Sequence, residues 1–190
     1  VPAYQRFAGM GTTYLSIAAG TRVQVFEDLL GKSASIVRCM PNTPAAIGKG
    51  MMVTYANQNV PDDAKSFVAD LLSASGEVAT IDDEGLMDAV TAVSGSGPAY
   101  VFHFIESLTA AAEAAGLPYD TAKLLAMQTV YGAAALAAES DDTPGKLREQ
   151  VTSPNGTTAA ALNVLMGGDR LKTLVTEAVE AARKRSVELG

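Results

Sequence analysis

Between Tyr14 and about Asp82, short apolar runs rich in β-branched residues alternate with polar stretches. Four of these runs read as strands: Tyr14 to Ile17, Ser35 to Met40, Met51 to Tyr55 and Glu77 to Ile81. Between the third and fourth, Pro61-Asp62-Asp63 opens a stretch that sets Ala64, Phe67, Val68, Leu71 and Leu72 on one face. That is the i, i+3, i+4 spacing of a helix packed on a sheet. After Asp82 the strand signal stops. Alanine-rich helical segments follow, with breaks at Gly95 to Pro98, Gly116 to Pro118, Thr143 to Gly145, Ser153 to Gly156 and Gly167-Gly168. The pattern predicts an α/β half over residues 1–82 and an all-α half over residues 83–190.

Two of the predicted helices, Ala99 to Ala115 and Thr121 to Ala138, are apolar on nearly every side, which predicts burial all round. A domain this small does not supply enough cover for both, so the pattern predicts a homodimer with interlocked helices. The last helix carries Leu171, Leu174, Val175, Ala178 and Ala182 on one stripe, expected to close the bundle. The most apolar run, Leu124 to Ala138, is broken by Gln128, Thr129 and Gly132 and is shorter than the roughly 18 residues of a bilayer span. A membrane partner is not expected.

Composition narrows the chemistry. The 190 residues are 48% hydrophobic and 18% charged, a globular balance, with net charge −7, no Trp and no basic tract to follow a phosphate backbone. Nucleic acid is therefore not an expected partner. One cysteine, Cys39, leaves no internal disulfide, and a reducing cytoplasm is the expected compartment. One histidine, His103, and one cysteine are too few for a His/Cys zinc site, so no metal is expected and the chemistry points to an organic cofactor. His103 reads as a packed or interfacial helix residue, Cys39 as a packed strand end, and Glu139, Asp141 and Asp142 as a solvated helix end.

Three segments carry candidate chemistry, each with a plainer reading beside it. In Arg38-Cys39-Met40-Pro41-Asn42-Thr43-Pro44-Ala45, two prolines bracket Asn42 and Thr43 and hold them extended, either as a rigid turn or at the ligand crevice beyond a strand's carboxyl end. Ala92 to Tyr100 is a glycine-serine turn running into a helix, with free N–H groups for a ligand or simply a hinge and cap. Val151 to Ala159 is a Pro-Asn-Gly turn delivering Thr157 and Thr158 to a helix start, a pocket for a small carboxylate or a Ser/Thr cap.

Taken in order, Ser16-Ile17-Ala18-Ala19-Gly20, Met40-Pro41-Asn42-Thr43-Pro44, Ser94-Gly95-Ser96-Gly97-Pro98-Ala99-Tyr100 and the Thr152-to-Thr158 loop resemble the pyrroline-5-carboxylate reductase family. The resemblance implies the C-terminal part of a Rossmann-type dinucleotide-binding domain followed by a helical dimerisation domain. It implies reduction of 1-pyrroline-5-carboxylate to L-proline with NADPH or NADH, by a homodimer that in this family often assembles into rings. It places Ala18, Asn42 and Thr43 against the nicotinamide end of the cofactor. Substrate falls to Ser153, Gly156 and Thr157, whose backbone N–H groups would meet its carboxylate, and to Thr158, whose hydroxyl would meet the ring nitrogen as the catalytic contact.

The family's glycine-rich first turn has no counterpart: Gly9-Met10-Gly11, Gly48-Lys49-Gly50 and Gly95-Ser96-Gly97 are followed by Tyr14, Val53 and Tyr100 where a third small residue belongs. The chain is thus expected to lack that first unit, to be inactive alone, and to leave the strands at Ser16 and Ile36 with an open edge. Two other readings compete. A hydroxyacid-type two-domain dehydrogenase would use a helical-domain lysine, but Lys123, Lys146, Lys172 and Lys184 lie outside the three segments. A non-catalytic helical dimerisation fragment is the other.

Overall fold

A computed structural model describes residues 2–190. Four strands form one sheet in the order β1 (Thr13–Ser16), β2 (Ser35–Met40), β3 (Gly50–Ala56), β4 (Gly76–Thr80). β1 runs parallel to β2 and β3 parallel to β4, while β2 and β3 are antiparallel. The reversal follows from chain length: the connection from Met40 to Gly50 holds one short 3₁₀ turn, Thr43–Ile47, too little for a parallel crossover. The two parallel pairs are each bridged by a helix, α1 (Val23–Leu30) and α2 (Asp62–Ser73). The strands and α2 lie within a residue or two of the positions their patterns predict, whereas α1 was not resolved from the sequence as a separate element.

The core sits where β2 and α2 meet. Val37, Val60 and Val68 form its centre, with Ala56, Ala64 and Leu72 packed against it. Asn57 ties the sheet to α1: its Oδ1 accepts the Ile36 N–H at 3.1 Å, and its Nδ2 donates to Glu27 Oε1 and the Ala34 carbonyl, each at 2.9 Å. A buried amide is tolerated because its donor and acceptor are both satisfied. Of Ser16 and Ile36, both expected at an open edge, only Ser16 lies on an edge strand, β1; Ile36 lies on β2 between two strands and is fully buried.

From Glu84 onward the chain is helical. A 3₁₀ turn, Glu84–Leu86, is capped by the Asp83 carboxylate, which accepts the Gly85 N–H at 2.8 Å. Then come α3 (Met87–Val90), a π turn (Thr91–Gly95), α4 (Gly97–Ala114), α5 (Tyr119–Glu139), α6 (Pro144–Gln150), α7 (Thr157–Met166) and α8 (Arg170–Leu189). The expected break at Gly95 to Pro98 is not a turn. The Ser96 N–H donates to the Thr91 carbonyl at 2.8 Å, so a π turn leads through a bend at Ser96 directly into α4, and of the N–H groups expected to be free that of Ser96 is engaged.

The chain divides into two compact units, one comprising residues up to Pro98 together with Ala178–Gly190, the other Ala99–Glu177. They differ in burial. Nearly all fully buried hydrophobic side chains belong to the first; in the second only Thr109, Ala122 and Ala126 are buried among the described residues. The expectation that α4 and α5 are buried all round is not met within one chain, since Phe102, Leu124 and Tyr131 are 59%, 67% and 66% exposed. Leu171, Leu174 and Val175 of the α8 stripe are exposed too. His103 is likewise exposed rather than packed, its Nδ1 3.1 Å from Glu106 Oε2. No helix among the described residues is long and apolar enough to cross a membrane.

Candidate functional site

Because β1 and β2 are parallel neighbours, the loops leaving their carboxyl ends lie at the same end of the sheet. Those loops carry Ala18 and Asn42-Thr43, so the fold brings the three expected cofactor residues to one side, the side where open α/β sheets bind ligands. Ala18 is exposed, its N–H donating to Ser16 Oγ at 3.3 Å, and Gly20 turns the chain with φ +72°. A Cβ on Gly20 would lie 3.2 Å from the Leu189 carbonyl, so the loop passes close to the end of α8.

Asn42 is extended (φ −127°, ψ 167°) as the N-cap residue of the 3₁₀ turn, but Thr43 opens that turn instead of staying extended, although it directly precedes Pro44. Asn42 Oδ1 accepts the Met51 N–H at 2.9 Å and Asn42 Nδ2 donates to Ser94 Oγ at 3.3 Å, while Thr43 is exposed. The side chain facing outward from this loop is therefore Thr43, and Asn42 braces it from within.

In the second unit, Ser153-Pro154-Asn155-Gly156 closes a turn through Gly156 N–H to the Ser153 carbonyl at 3.1 Å, with Asn155 at φ +58°. Proline at the second position and asparagine in the left-handed region at the third are what a type II turn asks for. Gly156 then serves as the N-cap of α7. A Cβ there would overlap Ser153 Oγ at 2.3 Å, so the serine side chain packs over the glycine.

Since the first intrahelical donor is Ala160, bonded to the Gly156 carbonyl at 3.1 Å, the N–H groups of Thr157, Thr158 and Ala159 point out of the helix start. Thr157 is exposed and Thr158 half-buried. Thr152 Oγ1 is engaged elsewhere, donating to the Arg148 carbonyl at 2.6 Å, and the Gly156 N–H is spent inside the turn. The groups left for an anion are the first-turn N–H donors and the hydroxyls of Ser153, Thr157 and Thr158.

Two features escaped the sequence reading. Arg38 lies in the middle of β2, 5% exposed, and its Nη1 meets Glu84 Oε1 at 3.0 Å. The same carboxylate oxygen accepts the Val23 N–H at 2.8 Å, placing a negative charge at the start of α1. An arginine inside Ile36-Val37-Arg38-Cys39 signals that a buried partner must exist; nothing in the sequence says that it is Glu84. The other is the π turn. None of the three G-x-G triplets forms the strand-turn-helix of a dinucleotide fingerprint: Gly9-Met10-Gly11 precedes β1, Gly48-Lys49-Gly50 leads into β3, and Gly95-Ser96-Gly97 joins the π turn to α4 with no strand before it.

A four-stranded mixed sheet with helices, followed by a helical segment, is the architecture of the later part of a Rossmann-type α/β protein with a helical C-terminal region. Residues 84–189 match the family model for pyrroline-5-carboxylate reductase dimerisation, and the chain belongs to the pyrroline-5-carboxylate reductase family. It is 46% identical over 176 residues to the pyrroline-5-carboxylate reductase of Pseudomonas aeruginosa, covering 93% of this chain and 64% of that one. Against the Synechocystis enzyme the identity is 46% over 178 residues, 93% of this chain and 65% of the relative.

Among solved structures, a pyrroline-5-carboxylate reductase from Coxiella burnetii superposes with a TM-score of 0.96 at 39% identity, over 100% of this chain and 70% of that one. A Plasmodium falciparum pyrroline carboxylate reductase with NADP bound gives 0.87 at 35%, over 100% and 75%. The chain spans just under two thirds of the length of the curated relatives it matches.

Proposed function

We infer that the intact enzyme reduces 1-pyrroline-5-carboxylate to L-proline with NADPH or NADH. The observation that carries this reading is that one chain of this family holds both the Ala18 and Asn42-Thr43 loops, at one end of the sheet of its first unit, and, in its second unit, the Ser153-to-Thr158 helix start. Residues 1–82 serve as the dinucleotide-binding part and 83–190 as the dimerisation and substrate-binding part, in a cytoplasmic homodimer that assembles further into rings.

The residues present fit the nicotinamide end of the cofactor: Ala18 is small and exposed, so a planar ring can approach its backbone, and Thr43, exposed at the same end of the sheet, offers a hydroxyl. When bound, the cofactor supplies the hydride. The chain's own residues supply placement. Outward-pointing N–H groups of α7's first turn hold the substrate carboxylate, with Ser153 and Gly156 shaping the turn that presents them. The Thr158 hydroxyl holds the ring nitrogen. A cyclic iminium carbon is already electrophilic, so orienting it matters more than strong acid catalysis.

The test is a dehydrogenase assay of the intact protein, following nicotinamide oxidation with 1-pyrroline-5-carboxylate. Turnover is expected, and Thr158→Ala should lower kcat/KM for the imine by about 1 to 3 kcal/mol of transition-state stabilisation, with cofactor affinity nearly unchanged. Loss of cofactor binding with turnover preserved would overturn the assignment of Thr158 to the substrate.

A further inference from the structure

We propose that Ser94, on the π turn between α3 and α4, is a positioning residue for the Pro41–Thr43 loop, fixing the Asn42 side chain that braces Thr43. On the reductase reading above, this loop lies against the nicotinamide. The amide of Asn42 is oriented by chemistry: the Met51 N–H is a donor only, so the atom 2.9 Å from it is Oδ1 and the atom facing Ser94 is Nδ2. Ser94 Oγ therefore accepts, at 3.3 Å, and no other acceptor for that N–H occurs among the described residues.

The π turn is what aims Ser94 there. Its hydrogen bond runs from Ser96 N–H to the Thr91 carbonyl, five residues back, and an inserted residue re-aims every side chain of the turn by about 100° relative to a continuous α-helix. A second contact ties the same turn to the same loop. A Cβ on Gly95 would lie 2.6 Å from Met40 Cε, so the glycine admits the methionine that immediately precedes Pro41. Both ends of Met40-Pro41-Asn42 are thus seated on Ser94 and Gly95. The Met51 bond is the shorter and anchors the loop, whereas the Ser94 bond sets the rotation of the amide, so its removal loosens Asn42 and Thr43 without unfolding the sheet.

The experiment uses the intact enzyme, with wild type, Ser94→Ala, Ser94→Thr and the pair Asn42→Ala and Asn42→Ala/Ser94→Ala. Ser94→Ala should lower kcat about threefold to tenfold, the span of one neutral hydrogen bond, while KM for the imine and the melting temperature hold. Ser94→Thr keeps the hydroxyl and should restore kcat, and in the Asn42→Ala background Ser94→Ala should cost nothing further. An unchanged kcat, a loss that tracks a fall in melting temperature and is not rescued by threonine, or full additivity of the two substitutions would each overturn the proposal. A wild type that is inactive on 1-pyrroline-5-carboxylate would refute the reductase reading itself, whereas an active wild type with an indifferent Ser94→Ala refutes only the role of Ser94.

Discussion

Cys39 is the cysteine of β2, 1% exposed, and burial pushes its thiol from an ordinary 9.0 up to about 11. Alkylation needs thiolate and access, and the native chain supplies neither. Iodoacetamide at pH 8 should therefore leave the folded protein unmodified over hours and label it stoichiometrically in denaturant; fast native labelling would contradict the burial. The sign of the pH effect follows. Below pH 9 the thiol is neutral folded or unfolded, but between 9 and 11 only the unfolded chain ionises, so stability should fall across that window. A Cys39→Ala variant should lack that component of the alkaline decline in a urea series.

The burial of Cys39 was legible from an apolar strand, and so was the place of Asn155, because Pro-Asn-Gly encodes its own turn. The occupation of Asn42 was not. Its partners, Met51 and Ser94, lie 9 and 52 residues away, and no local rule couples them.

At the scale of elements, the strands were readable because β-branched and apolar runs fit a half-buried pleat, and α2 because its apolar stripe has helical spacing. The π turn was not, since Gly95-Ser96-Gly97-Pro98 has the composition of a break, and nothing local says that Met40 lies against Gly95. The Arg38–Glu84 pair acts at the same scale, joining β2, the start of α1 and the turn that begins the helical segment. With side-chain exposures of 6% and 21%, it is shielded enough that losing one partner strands the other. Glu84→Ala should thus lower unfolding stability by about 3 kcal/mol, the lower end for a broken buried pair, since Glu84 retains some solvent contact. Arg38→Met should cost less, because it removes the buried charge and leaves an apolar chain of similar length, while Glu84 keeps the Val23 N–H. Equal losses in the two variants, measured by urea denaturation, would show that the pair contributes through something other than the stranded charge.

For the whole molecule, the uneven distribution of the core decides the matter. The Ala99–Glu177 unit leaves large apolar side chains of α4, α5 and α7 open to solvent, Phe102, Phe104, Leu124, Met127, Tyr131 and Val164 among them, and encloses only Thr109, Ala122 and Ala126 among the described residues. Soluble monomers rarely expose contiguous apolar patches larger than a few hundred Å², and helices with this little internal cover gain their stability from contact with another surface. On the proposed homodimer a second copy would supply that surface symmetrically, and the small residues of α5, Ala122, Ala126 and Gly132, would permit close helix approach. Sedimentation equilibrium of the intact protein should give a dimer or a multiple of one throughout the micromolar range. Paired substitution Leu124→Glu/Tyr131→Glu places charge on the open face of α5 and should shift the protein to monomer and lower its thermal stability together, because interface and core are the same residues. A stable, monodisperse wild-type monomer at micromolar concentration would mean that the exposed faces of α4 and α5 are covered from within the intact chain and that the subunit does not depend on a partner for its core.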